Sequence, residues 1–147
     1  MSNLRQWVGS LLFTTYLFVS VPPYAAVAFL VAAIPGLHAY GVAQLWAGSV
    51  LRMLKLLCDL DHRVEGLEHL EGDNCVVLLK HSSAWETIAQ FVIFPRQTWV
   101  MKRELLWVPI LGCVLLLLEP IAINRKGGRT AVEQVLRLGQ RRLEQGY

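Results

Sequence analysis

Val76-Val77-Leu78-Leu79-Lys80-His81-Ser82-Ser83-Ala84-Trp85-Glu86-Thr87 is the stretch whose reading decides the fold. Four apolar residues in a row, two of them β-branched, suit a strand covered on both faces. Ser83-x-x-Glu86 then offers a capping box, each side chain satisfying a backbone donor of a new helix. The stretch therefore predicts a central strand over 75–79 running into a helix over 85–94. His81 is expected at the carboxyl end of that strand, where open α/β sheets place their active sites. Were both helical, His81 and Glu86 would lie about 140° apart on the wheel. They can meet only if His81 sits in the turn and folds back over the first helical turn.

Working outward, the charge distribution divides the chain. Residues 1–50 carry one charged side chain, Arg5, and the other 97 hold all 11 acids and 13 of the 14 basic residues. The split predicts apolar membrane-associated helices over 1–57 and, over 58–147, part of a water-facing domain. Trp7 to Val21 and Tyr24 to Ile34 are apolar runs, separated by Pro22-Pro23 and closed by Pro35-Gly36. Neither reaches the roughly 20 residues of a full span. One proline-kinked crossing and a helical hairpin turning at Pro22-Pro23 are both open, and adjacent prolines favour the hairpin. Trp7, Tyr16, Tyr24 and Tyr40 are candidate interfacial anchors. Val42 to Leu57 has one apolar stripe at helical spacing, with Arg52 and Lys55 off it, and reads as an amphipathic helix. Those two cations favour a cytoplasmic face, at the inner membrane, for the polar domain over 58–147.

Arg63 to Leu67 alternates like a short edge strand. Thr98 to Met101 and Ile121 to Ile123 are further strand candidates. Cys113 to Leu118 is an apolar run stopped by Pro120, and Thr130 to Glu144 is an amphipathic helix with a basic outer face. Strands interleaved with helices argue an α/β fold. Cys58, Cys75 and Cys113 are odd in number and far apart, which predicts reduced core residues. A secretory signal is not expected, because the apolar stretch continues far past the usual length. Nucleic-acid binding is not expected, for want of basic-aromatic interleaving or zinc spacing.

For chemistry, His81 with Glu86 fits a general-base pair: a carboxylate on one imidazole nitrogen fixes the tautomer and leaves the other to take a proton. No third ligand accompanies them, so no metal is expected. Lys102 and Arg103, then Arg125, Lys126 and Arg129, follow two predicted strands. If those strands are parallel, both clusters share a rim. Gly127-Gly128 would let backbone approach a phosphate ahead of the last helix.

These residues resemble a known family. Lys80-His81-Ser82-Ser83-Ala84-Trp85-Glu86 is similar to the first motif of the glycerolipid acyltransferases, in which an acid follows histidine after four residues. Lys102-Arg103-Glu104-Leu105-Leu106-Trp107-Val108-Pro109-Ile110-Leu111-Gly112 resembles the second motif of the bacterial 1-acyl-glycerol-3-phosphate acyltransferases, and Ile121-Ala122-Ile123-Asn124-Arg125 the third. Glu86 replaces the usual aspartate, Lys80 the usual asparagine and Asn124 the usual aspartate. The fourth motif, a Pro-Glu-Gly-Thr-Arg-like turn, is absent, and the chain reads as part of a longer enzyme. The resemblance implies a glycerolipid acyltransferase-like sheet with flanking helices. It implies acyl transfer from acyl-CoA or acyl carrier protein, as substrate and with no cofactor, to the 2-hydroxyl of lysophosphatidic acid. His81 would be the base and Glu86 its orienting acid. Arg125, Lys102 and Arg103, with Asn124 and Arg129 beside them, would hold the acceptor. The same residues would also suit another lysolipid acceptor, such as lysophosphatidylethanolamine or a lyso-ornithine lipid, or a non-catalytic lipid-binding protein at the membrane.

Overall fold

A computed structural model describes residues 3–70, 75–94 and 97–147. They form two compact units, one of Met1–Glu65 with His81–Pro95 and the other of Gly66–Lys80 with Arg96–Tyr147.

The first unit is helical. α1 (Asn3–Ala32) runs without a break through Pro22 and Pro23. The hairpin expected to turn at those prolines is therefore not formed there. Each proline removes one backbone donor, but neighbouring contacts hold the helix on both sides of them. α2 (Tyr40–Cys58) returns antiparallel to α1, as three pairings along the helices show. Near one end Gly9 meets the Leu57 carbonyl, where a Cβ would lie 2.2 Å from the oxygen. Further along, the Tyr16 hydroxyl donates to Ser49 Oγ at 2.9 Å, and Trp46 Nε1 donates to Ser20 Oγ at 3.0 Å. Ser20 is buried; its hydroxyl donates to the Leu17 carbonyl at 3.3 Å and accepts from Trp46, so the seam gives this buried group both its partners. Beyond the prolines, Ala25 and Ala28 are buried.

α3 (Ala84–Ile93) packs on α2, and the aromatic rings of Tyr40 and Phe91 lie 5.8 Å apart. Ala47 and Leu51 follow Tyr40 at seven and eleven residues, on the same side of α2, and both are buried. The buried face of α2 is thus shifted from the stripe its spacing predicts: Tyr40, Ala47 and Leu51, off that stripe, are buried, and Leu45, on it, is exposed. α2 lies between two helices, and Val50 is 1% exposed. Pro95, expected to end α3, lies outside the described residues.

The second unit is built on β1 (Val100–Lys102) and β2 (Ile121–Ile123), a parallel pair in which Lys102 lies opposite Ile123. α4 (Leu111–Leu117) lies between them in the chain, and α5 (Arg129–Glu144) follows β2. Gln134 on α5 donates to the Ala122 carbonyl at 3.2 Å, and Met101, Ile121 and Ala131 are buried. The turn into α4 needs Gly112, where a Cβ would meet the Leu106 carbonyl oxygen at 2.0 Å. The described residues are thus rich in helix, with a small parallel sheet, in keeping with an α/β acyltransferase chain.

Three expectations fail here. Cys75 to Lys80 has no regular secondary structure and is exposed, Leu78 to 95%. An apolar run is suited to a strand but becomes one only against a hydrogen-bonded neighbour, and the described sheet has only β1 and β2. Arg63 to Leu67 is not an edge strand: Gly66 turns at a φ of 85° into a short 3-10 segment, Leu67–His69. The three cysteines are free, but Cys75 and Cys113 are exposed rather than in the core.

Candidate active site

The site is assembled from the start of α3. Ser83 is extended and caps the helix; its Oγ accepts from the Trp85 N–H at 3.1 Å and completes a capping box with Glu86. Glu86 accepts from the Ser83 N–H at 2.7 Å, from Ser83 Oγ at 2.9 Å and from the Ser82 N–H at 3.3 Å. These donors gather at a helix N-terminus, where negative charge is favoured. Partial burial works against the charged form, but the hydrogen bonds from Ser83 and Ser82 outweigh it and lower the Glu86 pKa to about 2. Glu86 is therefore a carboxylate at any physiological pH.

His81 folds back as the wheel geometry requires. Its Nδ1 lies 3.4 Å from Glu86 Oε2, with the imidazole 59% exposed and the carboxylate side chain 17%. A carboxylate against Nδ1 favours a proton on that nitrogen and leaves Nε2 as the one able to accept. Glu86 thus both caps the helix and faces the imidazole.

Ser83→Ala should cost about 1 kcal/mol as a lost cap and let the Glu86 pKa rise toward its ordinary 4.5. The sign is set by the lowered value: the stabilisation from Glu86 is complete above pH 4.5 and is lost as pH falls toward 2. Thermal unfolding across that window should show a smaller acid loss in the variant than in the parent.

The candidate substrate-binding residues belong to the second unit. Lys102 closes β1 and Arg103 follows it, while Asn124 and Arg125 follow β2. Because the strands are parallel and Lys102 is opposite Ile123, all four stand at the same carboxyl edge. Arg103, Arg125 and the neighbouring Lys126 are exposed and form no ion pair among the described residues. Lys102 lies 3.9 Å from Glu104. Asn124 Oδ1 is occupied in accepting the Lys126 N–H at 3.0 Å. Arg129 opens α5 and pairs with Glu133 at 3.1 Å. Such an edge can bind a phosphate by charge-assisted hydrogen bonds. No cluster of three or more His, Cys, Asp or Glu placed to hold a metal ion occurs among the described residues.

Similarity agrees with this chemistry. Over 143 residues, 96% of its length, the chain is 34% identical to a 1-acyl-sn-glycerol-3-phosphate acyltransferase of Pseudomonas aeruginosa. Over that stretch the chain is similar to a 1-acyl-sn-glycerol-3-phosphate acyltransferase. The chain spans 56% of the length of that relative. No protein-family model matches the chain, and no solved structure does. Sequence reasoning missed His62, which lies in an acidic, polar loop with no spacing signal but reaches Trp85 in the first turn of α3, and Asp61, which accepts the His62 N–H.

Proposed function

We propose that the intact protein transfers an acyl group from acyl-CoA or acyl carrier protein to the 2-hydroxyl of 1-acyl-sn-glycerol-3-phosphate, giving phosphatidic acid, on a glycerolipid acyltransferase-like fold. The observation that carries this reading is the His81–Glu86 pair, formed at 3.4 Å in a chain 34% identical to an enzyme of that name. His81 Nε2 takes the proton of the 2-hydroxyl as its oxygen attacks the thioester carbonyl. The tetrahedral intermediate collapses with loss of the thiolate, which recovers the proton from the imidazolium. Glu86 stays ionised throughout and steadies the imidazolium. Lys102, Arg103 and Arg125 hold the acceptor's phosphate, with Asn124 and Arg129 beside them.

The helix pair supports a place at the inner membrane. Among the described residues, α1 alone is long and apolar enough to cross a bilayer. Between Arg5 and Arg52 there is no Lys, Arg, Asp or Glu, so the α1–α2 turn is the uncharged end of the pair. The opposite end carries Arg5, Arg52 and Lys55. Since His62 meets Trp85 there, the start of α3 lies at that charged end too. Inserted turn first, the pair would hold His81 at headgroup depth on the cytoplasmic side.

The test is acyl transfer by the intact protein with labelled acyl-CoA or acyl carrier protein, offered lysophosphatidate, lysophosphatidylethanolamine or a lyso-ornithine lipid. Lysophosphatidate is expected to be the preferred acceptor. Arg125→Ala should raise its KM about tenfold, the cost of one charge-assisted hydrogen bond, with little change in the donor KM. Equal use of all three acceptors would overturn the phosphate assignment, and lipid binding without turnover would overturn the enzyme reading.

A further inference from the structure

Both ends of α3 are tied to the segment that includes α2 by aromatic contacts. At the far end Phe91 meets Tyr40; at the near end the imidazole of His62 stands edge-on to the indole of Trp85, with centroids 5.1 Å apart and planes at 63°. The loop that delivers His62 is itself fixed. Asp59 ends α2 in the left-handed region at a φ of 56°. Asp61 pairs with Lys55 of α2 and accepts the His62 N–H at 2.9 Å. On the other side of the contact, the Trp85 N–H donates to Ser83 Oγ, Ser83 Oγ donates to Glu86 Oε2, and that oxygen faces His81 Nδ1. A continuous chain therefore leads from the last turn of α2 to the imidazole of the proposed base.

We infer that His62 is a positioning residue: through Trp85 it fixes the first turn of α3, and so the Glu86–His81 geometry. The inference rests on the acyltransferase reading for its kinetic consequence, but not for its structural one. A helix of ten residues is too short to hold its own first turn reliably in water. The capping box closes that turn onto itself, and Trp85 connects it to His62 and, through the loop, to α2. Without the imidazole edge the box can still form, but it is free to rock, and a misplacement of about 1 Å is enough to cost a hundredfold in rate. An aromatic ring of similar shape should serve as well, because the contact is edge-to-face and not an exchange of protons.

The experiment compares His62→Ala, His62→Phe and His81→Ala in the intact protein. His62→Ala is expected to lower kcat roughly tenfold to a hundredfold with both KM values and the thermal midpoint little changed. His62→Phe should recover most of kcat and keep the parent pH profile. Long-range nitrogen–proton spectra of the imidazoles supply a readout that needs no turnover. His81 should be held with the proton on Nδ1 in the parent and in His62→Phe, and should lose that preference in His62→Ala. An unchanged kcat and tautomer in His62→Ala would overturn the inference, as would a His62→Phe variant as impaired as the alanine one. If His81→Ala remained active, the acyltransferase mechanism would fall, and the tautomer spectra alone would still decide the role of His62.

Discussion

His81→Ala in the intact protein should lower acyl transfer about a thousandfold, the range of an intact general base removed from a reaction that needs one. The size reflects the groups that remain. Lys102, Arg103 and Arg125 stand on a different unit from His81, so phosphate binding should survive and the acceptor KM should change little. The loss should fall on kcat, as expected when a group acts only in the transition state. Stability should be almost unaffected, since the imidazole is more than half exposed. Glu86→Gln makes a useful companion. It keeps the shape of the capping side chain but removes the charge that favours Nδ1–H and the imidazolium, so it should be less active than the parent and more active than His81→Ala. Steady-state assays of labelled phosphatidic acid formation read all three. Parent-like turnover by His81→Ala would sink the base assignment.

What the sequence made legible was local. The capping box spans four residues, and both its hydrogen bonds close within them, so no distant part of the chain is needed to read it. β2 falls at Ile121–Ile123 as expected, and β1 lies within two residues of its expected position, because short β-branched runs bounded by proline or charge leave few alternatives. Given parallel pairing, the shared edge of the two basic clusters is a direct consequence. The misreadings depend on contacts far apart in sequence. Pro22-Pro23 weakens an isolated helix, but it cannot report that Trp46 and Ser49 bind Ser20 and Tyr16, 26 and 33 residues away along the chain. Val76 to Leu79 has the composition of a buried strand, but composition does not name the neighbour that would pair with it. His62 sits among acidic loop residues, and nothing in its spacing points 23 residues ahead to Trp85.

Gly9→Ala should destabilise the helix pair by about 2–3 kcal/mol, although alanine is the better helix former by nearly 1 kcal/mol. Propensity loses here because the added methyl has nowhere to go: it would lie 2.2 Å from the Leu57 carbonyl oxygen, which is backbone and cannot rotate away. The helices would have to part at that end, lengthening a close approach of the kind small residues permit in apolar helix pairs. The control is Gly48→Ala in α2, where a Cβ meets nothing within 4 Å. That substitution should be neutral or stabilising by up to about 1 kcal/mol. In detergent or lipid discs the first variant should lower the thermal midpoint by roughly 5–10 °C and the second should not. The position adds a functional consequence. Gly9 and Leu57 mark the same end of the unit as Lys55 and the loop that carries His62. Parting the helices there should loosen the support of α3, so Gly9→Ala should also lower kcat while leaving the acceptor KM near its parent value. A destabilised variant with full kcat at a temperature where it remains folded would separate the packing of the helix pair from the geometry of the site.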